Sequence, residues 1–121
     1  MALIRPSNSL PVVYVYKPPV DMRKAINGLS ILVEEVLEED PFSEHLFVFS
    51  NRRRDRVKIL CWERSGFVLW HKRLEKERFH WPTHLDGDTV VLTGRELNWL
   101  LDGFDLSKMK PHESLKFSFV L

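Results

Sequence analysis

Between residues 46 and 82 the chain reads LFVFSNRRRDRVKILCWERSGFVLWHKRLEKERFHWP, and no other stretch limits the fold so tightly. Three runs rich in Val, Phe, Ile, Leu and Trp lie inside it, at 46–50, 57–62 and 67–72. β-Branched and aromatic side chains suit a pleated, half-buried surface. The polar breaks between the runs, at 51–54 and 63–66, are short enough for hairpins, so a three-stranded antiparallel meander is predicted.

Loop length sets the register. A break at 63–66 pairs Trp62 with Phe67, Cys61 with Val68, Leu60 with Leu69, Ile59 with Trp70, Lys58 with His71, Val57 with Lys72 and Arg56 with Arg73. Because side chains alternate along a strand, Val57, Ile59, Cys61, Val68 and Trp70 share a first face. Arg56, Lys58, His71 and Arg73 share the second with Leu60, Leu69, Trp62 and Phe67. The first face reads as core. The second reads as basic at one end and aromatic at the other.

Ten basic residues and four acids lie between Arg52 and Arg78, a balance of +6. The whole chain carries +1, so the rest holds about −5. The protein is polarised rather than basic. Its acids cluster at Glu34, Glu35, Glu38, Glu39 and Asp40.

The remaining elements follow from periodicity and punctuation. Residues 1–11 carry Pro6, Ser7, Asn8, Ser9 and Pro11 and read as a loose arm. A short strand is predicted at 12–16, stopped by Pro18 and Pro19. Met22, Ala25, Ile26, Leu29, Leu32, Val33, Val36 and Leu37 recur at helical spacing, predicting an amphipathic helix over about 22–38 with Asp21 as N-cap. Residues 89–92 suggest a brief strand. Thr93 and Glu96 form a capping-box pattern, so a short helix carrying Leu97, Leu100 and Leu101 should follow and stop at Gly103. Residues 104–121 read as irregular, with 115–121 as a last strand or a partner-binding tail. The fold expected is one α+β domain over 1–121: an antiparallel meander, helix 22–38 packed on its first, core face, and a short C-terminal helix.

Several classes of function find no support. The longest apolar run, 12–16, is far shorter than the roughly 20 residues of a membrane-spanning helix. No signal segment opens the chain. Cys61 alone makes no internal disulfide, fits a reducing cytoplasm and reads as a small buried hydrophobe. His80 and His84 are separated by Pro82, and no second pair completes a zinc site. Asp21, Asp55 and Asp86 have no context that would make them a carboxylate triad. There is no glycine-rich phosphate loop and no nucleophile elbow, so neither cofactor, metal nor enzymatic activity is expected.

What remains is binding. Arg52, Arg53, Arg54, Arg56, Lys58, Lys72 and Arg73 are the candidate contacts, because a guanidinium fork grips phosphate through paired hydrogen bonds. The competing view is a solvated turn whose arginines pair with residues 34–40, at about 0–1 kcal/mol per exposed pair. Trp62, Phe67, Trp70 and Trp81 interleave with these cations. They serve either as stacking platforms for bases or as core, and core is the commoner use of a Trp at strand spacing.

A family resemblance joins these segments. Asp21-Met22-Arg23-Lys24, Asp40-Pro41-Phe42-Ser43, the run from Leu46 through Asn51-Arg52-Arg53-Arg54-Asp55-Arg56, Gly66-Phe67, Leu69-Trp70, Lys72-Arg73-Leu74-Glu75 and Arg78-Phe79 occur in the order seen in one family. From about Val13 to Gly103 the chain resembles the TnpB-type accessory protein, the second reading frame, of bacterial insertion-sequence 66 elements. Cys61 stands where that family more usually has an aromatic, and Glu44 where a small residue is common. The resemblance implies a non-enzymatic role in DNA transposition, with element-end DNA and the transposase encoded alongside as partners. The alternative is a protein-interaction module that docks on the transposase without touching DNA. No catalytic residues carry over.

Overall fold

The computed structural model describes residues 11–109, which form a five-stranded sheet covered on both faces. In chain order the elements are β1 (Val13–Tyr16), α1 (Ile26–Glu35), β2 (Leu46–Ser50), β3 (Arg56–Glu63), β4 (Gly66–Arg73), β5 (Thr89–Leu92), α2 (Gly94–Leu101) and a single 3-10 turn (Leu106–Lys108). Across the sheet they run β4-β3-β2-β1-β5. The predicted meander is present as β2, β3 and β4. Its β3–β4 register is the expected one, from Arg56 opposite Arg73 to Trp62 opposite Phe67. The strands extend one pair further, to Glu63 opposite Gly66, which leaves Arg64 and Ser65 as the turn, with Arg64 at φ 58.

The meander is only part of the sheet. β1 lies parallel to β2 and antiparallel to β5, so an interior strand comes from the start of the chain. A parallel neighbour requires a crossover, and α1 is that crossover. It packs on the second face, where Leu29, Val33 and Leu37 meet Phe47, Phe49 and Leu60. This corrects the expectation that helix 22–38 covers the first face. The first face is covered instead by the connection from β4 to β5. Those strands are the two edges, so the connection must cross the whole sheet, and it buries Phe79 and Trp81 on the way. α2 completes that layer with Leu97, Leu100 and Leu101 against Val13, Val15, Val57, Ile59 and Cys61. Val68, expected in this layer, is 42% exposed on edge strand β4.

Both helices obey local rules, with one difference from expectation. α2 has the predicted capping box: Thr93 Oγ1 accepts from Glu96 N–H, and Glu96 Oε1 accepts from Thr93 N–H. It ends as predicted at Gly103, at φ 95, where Gly103 N–H donates to Leu100 O and Phe104 N–H to Trp99 O. That pair of bonds satisfies the last carbonyls of the helix. α1 begins at Ile26 rather than near residue 22, and its N-cap, Ala25, supplies no side-chain bond. Asp21 folds onto Arg23 instead, accepting from its backbone N–H and its guanidinium. Those Arg23 bonds lower the Asp21 carboxyl to about 2. Residues 22–24 are held out of the helix because Met22 O and Lys24 O accept from a buried lysine. Residues 1–10 of the arm expected at 1–11, and the element expected at 115–121, lie outside the described residues.

Candidate nucleic-acid interface

The β2–β3 turn is built by its own sequence. Asn51 closes it: its side-chain oxygen accepts from Arg56 N–H at 3.1 Å, and its side-chain amide donates to Asp55 Oδ1 at 2.6 Å. That amide bond is the main reason Asp55 stays below the ordinary carboxylate range, with Arg53 and Arg56 adding smaller attractions. Ser50 Oγ donates to Arg56 O at 2.8 Å. Arg54 takes the left-handed conformation at φ 60, which turns the chain back toward β3.

The motif therefore divides into frame and display. Arg54 belongs to the frame. Its Nη2 donates to Lys17 O at 2.8 Å, its guanidinium lies 5.3 Å from the Trp81 ring centre, and its carbonyl accepts from Phe79 N–H. Burial first, and then Arg52, pull it below the ordinary arginine value. Arg52 and Arg53 are displayed; the Arg53 side chain is 77% exposed and approaches Asp55 at 4.0 Å. Among the described residues, none of these arginines forms an ion pair with residues 34–40.

The other candidates divide in the same way. Lys58 is 8% exposed, and its ammonium donates to Met22 O and Lys24 O, both at 2.8 Å. Lys72 points to the other layer and donates to Leu101 O at 3.0 Å. These two and Arg54 already spend donors on backbone carbonyls and tie loops to the sheet. Arg56 is partly exposed. Arg73, directly opposite it, is exposed and pairs with Glu75 at 3.1 Å. His71 completes this corner, exposed and opposite Lys58. Desolvation, then Lys58, Arg56 and Arg73, hold its imidazole below the usual histidine value. His71 was missed as a candidate because it counts as uncharged, although the register alone puts it among the cations.

The aromatic residues have separate uses. Trp81 is buried beneath Arg54 and Trp70 packs against the first-face core. Trp62, Phe67 and Phe42 form a cluster with ring centres 5.0–5.3 Å apart, Trp62 edge-to-face with both phenylalanines, at the far end of β3 from the arginine turn. Beyond the end of α1, burial first and then the Glu39 carboxylate push the Tyr14 hydroxyl up. Glu34, Glu35, Glu38 and Asp40 are exposed, as are Ile31, Val36 and Phe42. An open groove of about 640 Å3, lined by Val13, Leu46, Arg95, Asn98, Trp99 and Asp102, lies at the end of β2 away from the arginine turn. No group of three or more His, Cys, Asp or Glu among the described residues could hold a metal. None of their helices is long and apolar enough to cross a membrane.

A family model described as IS66 Orf2 like protein matches residues 11–111, which include the arginine turn and the edge corner. The chain is similar to y4jC of Sinorhizobium fredii, with 36% identity over 108 residues, covering 89% of this chain and 91% of that protein. It is also similar to y4hO of the same organism, with 33% identity over 100 residues, covering 83% and 86%. Both relatives are named only as uncharacterized proteins. No solved structure matches the chain.

Proposed function

The chain belongs to the IS66 Orf2-like protein family, and from that membership we propose that it is a non-enzymatic, cytoplasmic accessory protein of transposition that binds element-end DNA through the 51–54 turn. One observation carries the reading. Asn51, Arg54 and Asp55 are used up in holding the turn, and that frame presents Arg52 and Arg53 to solvent. A pre-formed frame lowers the ordering cost of gripping phosphate, and guanidinium forks make paired, charge-assisted bonds to it. Arg56 and Arg73 extend the cationic surface from the turn onto the sheet edge. Arg54, Lys58 and Lys72 support that surface from beneath.

The test is a gel shift of the purified protein on element-end duplex across a range of salt. With about four phosphates neutralised, log affinity falls against log salt with a slope of about −3.6. Replacing Arg52 and Arg53 together by Ala takes about 1.8 off that slope and changes stability by no more than about 0.5 kcal/mol. A salt-independent interaction, or a double variant that binds like the parent, overturns the reading.

The second reading is docking on the transposase without direct DNA contact. It is favoured by the exposed acids Glu34, Glu35, Glu38 and Asp40 beside exposed Ile31, Val36 and Phe42, a surface suited to a basic, apolar segment. Co-purification with the transposase that survives nuclease treatment, by a protein that shifts no DNA alone, selects it.

A further inference from the structure

Arg56 and Arg73 stand directly opposite each other on β3 and β4, and like charges in that position repel across the ladder. The neighbouring pair on the same face is Lys58 and His71. Lys58 cannot turn away, because its ammonium is fixed on two carbonyls. From the segment before α1, the nearby charges are Lys24 and the Asp21–Arg23 pair, whose two charges offset each other. The first turn of α1 has no acid. Among the described residues, two carboxylates act on this corner: Asp55, which attracts Arg56 but is held by the Asn51 amide, and Glu75, bonded to Arg73 in an exposed pair that an incoming anion can displace. An arrangement that leaves cations opposed across the ladder is stabilised by an anion placed among them.

We propose that Arg56, Arg73 and His71 form a phosphodiester-binding site on the β3–β4 edge, distinct from the arginine turn, and that His71 takes up a proton when a nucleic-acid phosphate occupies it. This rests on the DNA-binding reading above and adds a contact and a proton to it. Without the anion, desolvation first and then the surrounding cations hold the imidazole below the usual histidine value. With a phosphate between the two guanidiniums the local field reverses, the ring becomes imidazolium, and it donates a further charged hydrogen bond. Affinity for DNA then rises as pH falls through the interval between the free and bound titrations of His71.

The experiment is an NMR titration of the histidine imidazoles between about pH 5 and pH 8, the range in which this side chain switches. It is run on the free protein, with inorganic sulfate, and with a short duplex of arbitrary sequence. The His71 midpoint is expected to rise with either probe, while exposed His80 and His84 serve as internal references. The rise should shrink in Arg73→Gln. A midpoint rise of one unit corresponds to about tenfold tighter duplex binding at low pH, and His71→Gln removes that pH dependence without unfolding the protein. A His71 midpoint that ignores both probes, with duplex bound steeply in salt, overturns the site and leaves the DNA reading standing. A His71 response to sulfate in a protein that binds no duplex keeps the anion site but removes its nucleic-acid partner and, with it, the DNA reading.

Discussion

Lys58→Met separates a structural lysine from a DNA contact. Methionine keeps the length of the buried stem and removes the ammonium that joins Met22 O and Lys24 O to β3. A hydrogen bond to a charged group contributes about 1.5–3 kcal/mol net, so two give about 3–6 kcal/mol. Two effects reduce that sum. Burying an ammonium is itself costly, so its removal recovers part of the loss. Lys24 is exposed, so its carbonyl can regain water. The expected loss is about 2–4 kcal/mol, a large share of the stability of a domain of this size. In urea denaturation followed by tryptophan fluorescence, the midpoint should drop by about 1.3–2.7 M for an m-value near 1.5 kcal/mol/M, with m unchanged. Measured on the folded variant, the salt slope of DNA binding should match that of the parent. A variant with the parent's midpoint, and with about 0.9 missing from its salt slope, would refute the assignment: Lys58 would then be a phosphate contact after all.

Two further substitutions test the division between frame and display. Arg54→Ala should cost about 2–3 kcal/mol, because it removes the bond to Lys17 O and the contact over Trp81; a loss within about 0.5 kcal/mol in thermal or urea denaturation would return Arg54 to the displayed set. Thr93→Ala should cost about 1 kcal/mol through loss of the α2 capping box and leave DNA binding unchanged, and a larger effect on binding than on stability would mean that α2 takes part in recognition.

The meander, its register, β5, the α2 capping box and the Gly103 stop were all legible in the sequence, because each depends on neighbours within a few residues. The pairing of β1 with β2 and β5 was not, since nothing local to Val13 or Val15 names a distant partner. The assignment of faces failed for a related reason. Phe47, Phe49 and Leu60 make the second face apolar along most of its length, yet reading outward from Lys58 and Arg56 made it look basic at one end and aromatic at the other rather than core. Once both faces are covered, a lysine in mid-strand must find acceptors, and the carbonyls before α1 supply them. The same covering separates the cations. Composition counts ten between Arg52 and Arg78, but only packing distinguishes Arg54, which clasps Lys17, from exposed Arg52 and Arg53, the latter only 4.0 Å from Asp55 at its nearest.

The position of β1 has a consequence for how the chain assembles. β2, β3 and β4 meet through short loops and can associate early, since closing a short loop costs little entropy. β1 is different: Val13 pairs with Leu46 on one side and with Leu92 on the other. Until residue 92 has been synthesised, β1 is an unprotected edge of the growing sheet, and the layer of Phe79, Trp81 and α2 that buries Val13 and Val15 is incomplete. Among the described strands, the first in the chain is thus the last to be enclosed. A chain interrupted before β5 would present open backbone donors and acceptors beside uncovered valines, the kind of surface that recruits another strand.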